Sequence, residues 1–149
     1  MPKIDIKTIT EFDPSLTEYI GRLLGQLSSR PIRFTDDDLR AIIECSGSQL
    51  IVMYADSEPV GMVTLGSYLA PTGRKVWIED VVIDSSMRGQ GLGRKLIDHA
   101  INQTQLLAPA ALMLTSRPSR LAANALYRSA GFTPKETNVY SMKFDEQKK

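Results

Sequence analysis

A glycine-rich turn between an apolar strand and a helix is the part of this sequence whose residue types best suit chemistry. Gly89, Gly91 and Gly93 alternate with other residues in this turn. Glycine lets a backbone turn sharply and approach a ligand without a Cβ in the way. N–H groups at the start of a helix bind phosphate or diphosphate, and Arg88 and Arg94 would add positive charge. The pattern indicates a phosphate-binding turn, with a tight turn that binds nothing as the alternative.

Two common phosphate-binding motifs do not fit this turn. A nucleotide P-loop needs lysine followed by serine or threonine, whereas the lysine here, Lys95, precedes Leu96. A dinucleotide-binding G-x-G-x-x-G motif would begin at Gly89 and would need glycine where Arg94 stands. The sequence therefore predicts neither a nucleoside triphosphate nor a dinucleotide as the ligand.

The composition is that of an ordinary globular domain. The chain has 149 residues, of which 42% are hydrophobic, and its 18 basic and 17 acidic residues leave a net charge of +1. A near-neutral chain has no strong field for nucleic acid or for an anionic membrane. Cys45 and His99 are the only residues of their types, which excludes an internal disulfide and a His/Cys zinc cluster. We expect one domain over residues 1–149, with no metal, nucleic-acid or membrane partner.

The sequence has neither the pattern of a membrane span nor that of a secretion signal. Its longest apolar run, residues 106–114, contains Pro109 and is far shorter than the roughly 20 residues of a membrane-spanning helix. The first residues lack an apolar segment followed by a cleavage site. These patterns favour a cytoplasmic location.

Hydrophobic periodicity predicts the element order β, α, α, β, β, β, α, β, α, β. Strands are indicated around Ile4 and Ile6 and over residues 49–55, 60–69, 75–84, 110–115 and 139–144. Helices are indicated from Asp13 onward and over residues 36–45, 92–106 and 119–130. This order predicts an α/β fold in which helices pack on the faces of a mixed sheet.

Two segments carry recognisable motifs: residues 88–93 are Arg-Gly-Gln-Gly-Leu-Gly, and residues 124–132 contain Asn124, Tyr127 and a final Gly-Phe. The first segment resembles the Gln/Arg-x-x-Gly-x-Gly/Ala motif of the GNAT superfamily of N-acetyltransferases, and the second is similar to a later region of that family that contains Asn, Tyr and Gly-Phe. Ser85 departs from the family pattern, since many members have proline there. The resemblance implies a mostly antiparallel sheet of about six to seven strands, splayed at its middle and flanked by about four helices.

The resemblance implies acetyl-CoA as the cosubstrate. In this superfamily the glycine loop holds the diphosphate, and the backbone of the preceding strand pairs with the pantetheine amides. The corresponding cosubstrate residues here are Val81, Val82, Ile83, Arg88, Gly89, Gln90, Gly91, Leu92, Gly93, Arg94 and Asn124. Tyr127 stands at the position of the family's general acid, which protonates the departing CoA thiolate.

The attacking amine must first lose a proton, because a free alkyl ammonium has a pKa of about 10.4. The site therefore needs a proton acceptor, acting directly or through water. Glu79, on the strand beside the expected thioester, is the first candidate, and Asp80 is the alternative. Since side chains alternate along a strand, only one of the two would face a given side of the sheet.

In this superfamily the turn between the first two helices commonly forms one wall of the acceptor site. Arg33 and Phe34 lie in this turn, together with Arg30. The arginines would hold a carboxylate or phosphate of the acceptor, and a solvated basic loop is the alternative. The resemblance implies a small-molecule or peptide amine as acceptor. Many members pair through their last strands, so a homodimer is expected by analogy.

Two other functions fit many of the same residues. A non-catalytic acyl-CoA-binding module would keep the glycine turn and would need neither Tyr127 nor Glu79. An acyltransferase with a longer acyl donor would differ in the depth of its pocket, which the sequence does not show. The presence of both Tyr127 and Glu79 favours an N-acetyltransferase that acts by direct attack.

Overall fold

One mixed sheet with helices on both faces organises the described part of the chain, residues 1–146 of a computed structural model. The elements in chain order are β1 (Ile4–Thr8), α1 (Pro14–Leu27), α2 (Asp36–Glu44), β2 (Ser48–Ala55), β3 (Glu58–Ala70), β4 (Gly73–Ile83), a 3₁₀ turn (Ser85–Met87), α3 (Leu92–Gln105), β5 (Ala110–Met113) and α4 (Leu121–Ser129). The strands lie in the order β1-β2-β3-β4-β5, antiparallel except for the parallel pair β4 and β5. None of the helices in this range combines the length and the apolar character of a membrane span. The predicted α/β class is confirmed.

Side chains that alternate along the central strands fill two cores, one on each face of the sheet. In β2, Ile51 and Met53 belong to one core, whereas Leu50 and Val52 belong to the other. The first core packs against α3 and buries its residues Leu92, Leu96, Ile97 and Ala100. The second core packs against α1 and α2 and buries their residues Leu16, Ile20, Leu23, Leu24 and Leu39. Both faces of the central strands are therefore covered, which explains their nearly continuous apolar sequence.

Local capping interactions set the starts of α1 and α2. The Asp13 carboxylate accepts a hydrogen bond of 3.0 Å from the Ser15 backbone N–H, and Pro14 occupies the first turn, where its missing N–H costs nothing. Thr35 and Asp38 form a capping box with hydrogen bonds of 2.8 and 3.2 Å. The bonds from Thr35, first from its backbone N–H, hold the pKa of Asp38 below its usual value.

β4 contains a bulge shortly before its end. The register with β3 shifts by one residue after Glu79, and Asp80 there adopts a left-handed φ of 52°, which is uncommon for a residue other than glycine. The extra residue changes the alternation, because Ile78 and Val81 both pack on the α3 side of the sheet while Val82 packs on the α1 side. The simple alternation used to separate Glu79 from Asp80 therefore does not continue through this part of β4.

The predicted strand over residues 139–144 is wrong, because this segment lies in neither a helix nor a strand. Its apolar residues are exposed, Tyr140 by 89% and Phe144 by 85%. An alternating pattern forms a strand only when a neighbouring strand pairs with its backbone and something covers its apolar face. Within residues 1–146, β5 pairs with β4 alone, and the sheet has five strands rather than six to seven.

Candidate active site

A cavity opens where β4 and β5 separate. The two strands pair as far as Trp77 and Met113, after which β5 ends and β4 continues to Ile83. The β5 side of β4 beyond Trp77 thus has no strand partner in the described chain. A cavity of about 1360 Å³, which we call the cleft, lies there and is lined mainly by residues 81–83, 87–89, 91–94, 115–120, 122, 123, 126 and 127.

The glycine turn leaves a run of backbone N–H groups without acceptors. Gly89 and Gly91 have φ angles of 79° and 75°, and a Cβ at either position would meet nothing within 4 Å, so both border open space. Gly91 precedes α3 and supplies no side-chain cap. The N–H groups of residues 88–94 donate no hydrogen bond within the described range. Open amides at the start of a helix form a site for an anion, which the helix dipole also attracts.

The cleft is positively charged. Its described lining contains four arginines, Arg88, Arg94, Arg117 and Arg120. No carboxylate belongs to the part of the lining that the structure describes. Arg88 donates from Nε to the Ile83 carbonyl at 3.1 Å. Arg94 donates to Asp98 and to Ser129 at 2.9 Å each, and it thereby joins α3 to α4.

Tyr127 lies half-buried in the wall of the cleft. Its ring meets Phe132 edge-on, with ring centroids 6.2 Å apart and an interplanar angle of 75°. Burial raises the pKa of the Tyr127 hydroxyl, and the positive charge of Arg120 opposes this rise. The phenol is therefore protonated at neutral pH, which is the state that a proton donor requires.

Asn124 does not line the cleft, although the sequence predicted it as a contact for the cosubstrate. Its Nδ2 donates a hydrogen bond of 2.9 Å to the backbone carbonyl of Arg117. Its backbone N–H donates to the Arg120 carbonyl at 3.0 Å. Asn124 thus holds the segment of residues 117–120 against α4, and this segment forms one wall of the cleft.

Comparison with known proteins identifies the family. The profile of the acetyltransferase (GNAT) family matches residues 18–132. The chain belongs to the GNAT family. It is 42% identical over 53 residues to the ribosomal protein bS18 alanine N-acetyltransferase of Escherichia coli K12, a match that covers 36% of each chain. It is also 33% identical over 96 residues to glucosamine 6-phosphate N-acetyltransferase 1 of Oryza sativa subsp. japonica, covering 55% of this chain and 57% of that protein.

A solved structure shows that the fold is shared over nearly the whole length. The crystal structure of glucosamine-6-phosphate N-acetyltransferase from Arabidopsis thaliana has a TM-score of 0.77 at 21% identity, and the match covers 96% of this chain and 99% of that one. By contrast, the matches to the two curated sequences span 36% and 57% of those proteins. The resemblance to GNAT proteins is confirmed.

Most of the predicted cosubstrate residues of this GNAT protein lie together in the cleft, beside Tyr127. They are Val81, Val82, Ile83, Arg88, Gly89, Gly91, Leu92, Gly93 and Arg94. Gln90 is exposed and lies outside the lining. The strand end, the glycine turn and α4 therefore meet at one cavity, although they are separated along the chain.

The predicted base and acceptor residues lie outside the cleft. Glu79 and Asp80 are exposed on β4, immediately before the lining begins at Val81. Arg33 is exposed in the turn between α1 and α2, whereas Phe34 packs against the core beneath these helices.

A second cavity, of about 740 Å³, lies next to the cleft. It is lined by Trp77, Met113 and residues 135–139. Trp77 and Met113 form the last pair of the β4–β5 ladder, so this cavity begins where the two strands start to separate. Val139 lines both cavities, which makes them neighbours at the splay.

Ser116 and Arg120 line the cleft, and the sequence did not predict either of them as site residues. The Ser116 Oγ is buried and has no hydrogen-bond partner among residues 1–146. Arg120 precedes Tyr127 by seven residues, which is two helical turns, and this spacing is the signal by which it could have been found. No sequence pattern marks Ser116, because its position depends on where β5 ends.

Proposed function

We propose that this GNAT protein, as one catalytic domain over residues 1–149, transfers an acetyl group from acetyl-CoA to a primary amine. The observation that carries the proposal is the meeting of the open amides of residues 88–94, the arginine-lined wall and Tyr127 in one cleft. The amides and arginines suit the diphosphate of the donor. The protonated phenol suits a proton donor to its sulfur.

The unpaired side of β4 supports an extended arrangement of the donor. Residues 81–83 line the cleft and have no strand partner on that side within the described chain. An unpaired strand edge offers backbone donors and acceptors, so the pantetheine amides would take the place of the missing strand. The donor would then run from the glycine turn along β4 to Tyr127.

Transfer would proceed by direct attack. The nitrogen of the neutral amine forms a bond to the thioester carbon, and backbone N–H groups near residues 81–83 stabilise the resulting oxyanion. When the carbonyl re-forms, the C–S bond breaks and Tyr127 gives its proton to the CoA thiolate. Glu79, with Asp80 as the alternative, takes the proton of the amine through water, because neither side chain lines the cleft.

The second cavity supports a position for the acceptor. We propose that the amine binds against Trp77 and Met113 and reaches the donor past Val139. Arg33 would contact a carboxylate or phosphate of the acceptor. One relative is named for an alanine of a ribosomal protein and another for glucosamine 6-phosphate, which supports a peptide or an amino sugar. A cytoplasmic location and a homodimer stay predictions.

Calorimetry with CoA tests the donor site, and we expect binding. Turnover is tested with a panel of amino sugars, polyamines, amino acids and peptides while thiol release is monitored.

The variant Tyr127→Phe should lower kcat by about 100-fold or more, the usual contribution of a general acid, with the Kd for CoA unchanged. Tyr19→Phe, on α1 outside the cleft, is the control.

The outcomes separate the alternatives. A protein with no affinity for CoA would end the proposal. Binding of CoA without thiol release from any amine would favour a non-catalytic acyl-CoA-binding module. Faster turnover with a longer acyl-CoA would favour a different donor, and unchanged turnover of Tyr127→Phe would remove Tyr127 from the mechanism.

A further inference from the structure

We propose that Arg120 is a positioning residue for acyl transfer, which acts through Tyr127 and stabilises the negative charge that develops when the CoA sulfur departs. The proposal rests on the proposed function and extends it to a residue outside the two segments that resemble GNAT motifs, residues 88–93 and 124–132. Arg120 lines the cleft together with Tyr127.

The two residues lie on one face of α4. Arg120 immediately precedes the helix, and Tyr127 follows two turns later. Helical side chains lean toward the N-terminus, so the phenol leans toward Arg120. The backbone of Arg120 is fixed by two hydrogen bonds of 3.0 Å, one donated to Arg117 and one accepted from Asn124. The start of α4 thus holds a cation on the face that carries the phenol.

Two of the other cleft arginines have hydrogen-bond partners of their own. Arg94 forms an ion pair of 2.9 Å with Asp98, and Arg88 donates to a backbone carbonyl of β4. The guanidinium groups of Arg117 and Arg120 form neither a hydrogen bond nor an ion pair in the part of the chain that the structure describes. Neither of these exposed arginines pairs with a carboxylate in that part of the chain, and no carboxylate lines the cleft there.

The acidity of Tyr127 reflects two opposing influences. Burial is the larger and raises the pKa of the phenol, whereas the charge of Arg120 lowers it. The ring of Phe132 meets the Tyr127 ring edge-on, and both rings pack against the core on the α3 side of the sheet. Burial therefore keeps the hydroxyl protonated, and the charge of Arg120 limits the rise of its pKa.

A nearby cation would favour departure of the leaving group. When the C–S bond breaks, the electron pair stays on sulfur, and the proton then moves from the Tyr127 oxygen to the thiolate. An unperturbed tyrosine has a pKa of about 10 and a thiol one of about 8.5, so this transfer is uphill, and more so for a buried phenol. A nearby cation stabilises both the thiolate and the tyrosinate. Water then returns a proton to the tyrosinate.

The test compares Arg120→Gln with a matched control, Arg128→Gln, which removes a positive charge from the same helix outside the cleft. Tyrosines carrying ¹³C at Cζ report their ionisation by NMR, and loss of a resonance in Tyr127→Phe identifies Tyr127. In Arg120→Gln we expect this resonance to titrate about one pH unit higher than in the wild type, and kcat to fall about tenfold. Arg128→Gln should behave as the wild type, and Arg120→Lys should restore most of both properties.

An unchanged titration of Tyr127 in Arg120→Gln would overturn the proposal, whatever happens to the rate. Weaker CoA binding with an unchanged titration would overturn it as well, because Arg120 would then be a ligand of the donor. An equal shift in Arg128→Gln would show a nonspecific effect of net charge and would also overturn it. Because the titration needs neither donor nor acceptor, failure of the proposed function appears separately, as absent CoA binding or absent turnover.

Discussion

The side-chain amide of Asn124 donates a 2.9 Å hydrogen bond to the backbone carbonyl of Arg117, and this bond links α4 to the segment that precedes it. The segment of residues 115–120 follows β5 and forms a wall of the cleft. Asn124 therefore acts on the cleft through the backbone around Arg117 and does not line it.

Replacing Asn124 by aspartate should loosen this wall. A carboxylate cannot donate to the Arg117 carbonyl, so we expect the free energy of unfolding to fall by about 1 kcal/mol and CoA to bind more weakly. Asn102→Asp, the same change at an exposed position of α3, is the control. Urea denaturation and calorimetry measure the two effects, and equal stability of the two variants would contradict the structural role of Asn124.

Two glycine-to-alanine substitutions should change stability in opposite directions. Gly91 has a φ of 75°, so alanine there should lower the free energy of unfolding by about 1–2 kcal/mol and weaken CoA binding. Gly25 lies inside α1, where a Cβ would meet nothing within 4 Å, so alanine should raise the free energy of unfolding by about 0.5–1 kcal/mol. Thermal and urea denaturation measure both. A stabilised Gly91→Ala protein would show that the turn does not need a positive φ.

The variants Glu79→Gln and Asp80→Asn should identify the proton acceptor. Asparagine tolerates the left-handed conformation of Asp80, so its substitution removes the charge and keeps the bulge. We expect Glu79→Gln to lower kcat/KM by about 100-fold, with a smaller effect of Asp80→Asn. The reverse order would make Asp80 the base, and an unchanged kcat/KM in both variants would exclude both residues.

The single histidine should make stability depend on pH between neutral and mildly acidic conditions. His99 on α3 has a buried Nε2 without a hydrogen-bond partner within residues 1–146, and burial lowers its pKa from the ordinary value of 6.5. Below about pH 6.5 the unfolded chain binds a proton at this histidine, whereas the folded protein binds it only at a lower pH. The free energy of unfolding should therefore be highest above that pH and should decrease as the pH falls further.

Urea denaturation at about pH 7.5 and about pH 5.5 measures this loss, and His99→Gln should reduce it. Asp38 and Asp84 do not interfere, because hydrogen bonds lower their pKa values from 3.8. The same pH dependence in His99→Gln as in the wild type would assign the effect to other groups.

Local interactions explain why most elements were predictable. Asp13 and Thr35 begin their helices through side chains whose partners lie within three residues along the chain. Gly89 and Gly91 adopt the positive φ angles that suit glycine. Each of these features depends on neighbours in sequence, so a short pattern was enough to predict it.

Sequence patterns were insufficient where an interaction needs a distant partner. Residues 139–144 alternate as a strand does, but alternation describes one face and does not supply a neighbouring strand. Asp80 is neither glycine nor proline, so nothing in the sequence marks the bulge. This bulge determines on which face of the sheet Val81 and Val82 pack. Asn124 matches a family motif, and its contact with the cosubstrate stays a prediction. The hydrogen bond from its amide to the backbone of Arg117 is a further interaction that the motif does not show.

The order of the elements as far as α4, the glycine turn at residues 89–93 and the likeness to GNAT proteins could be predicted from the sequence, because residues a few positions apart produce them. The cleft could not, since it exists only where β4 and β5 part and α4 packs beside α3. Arg88 and Arg94 come from a segment of the chain that is distant from the one that carries Arg120 and Tyr127. Burial of the whole sheet determines how such segments meet, and a local pattern does not contain that information.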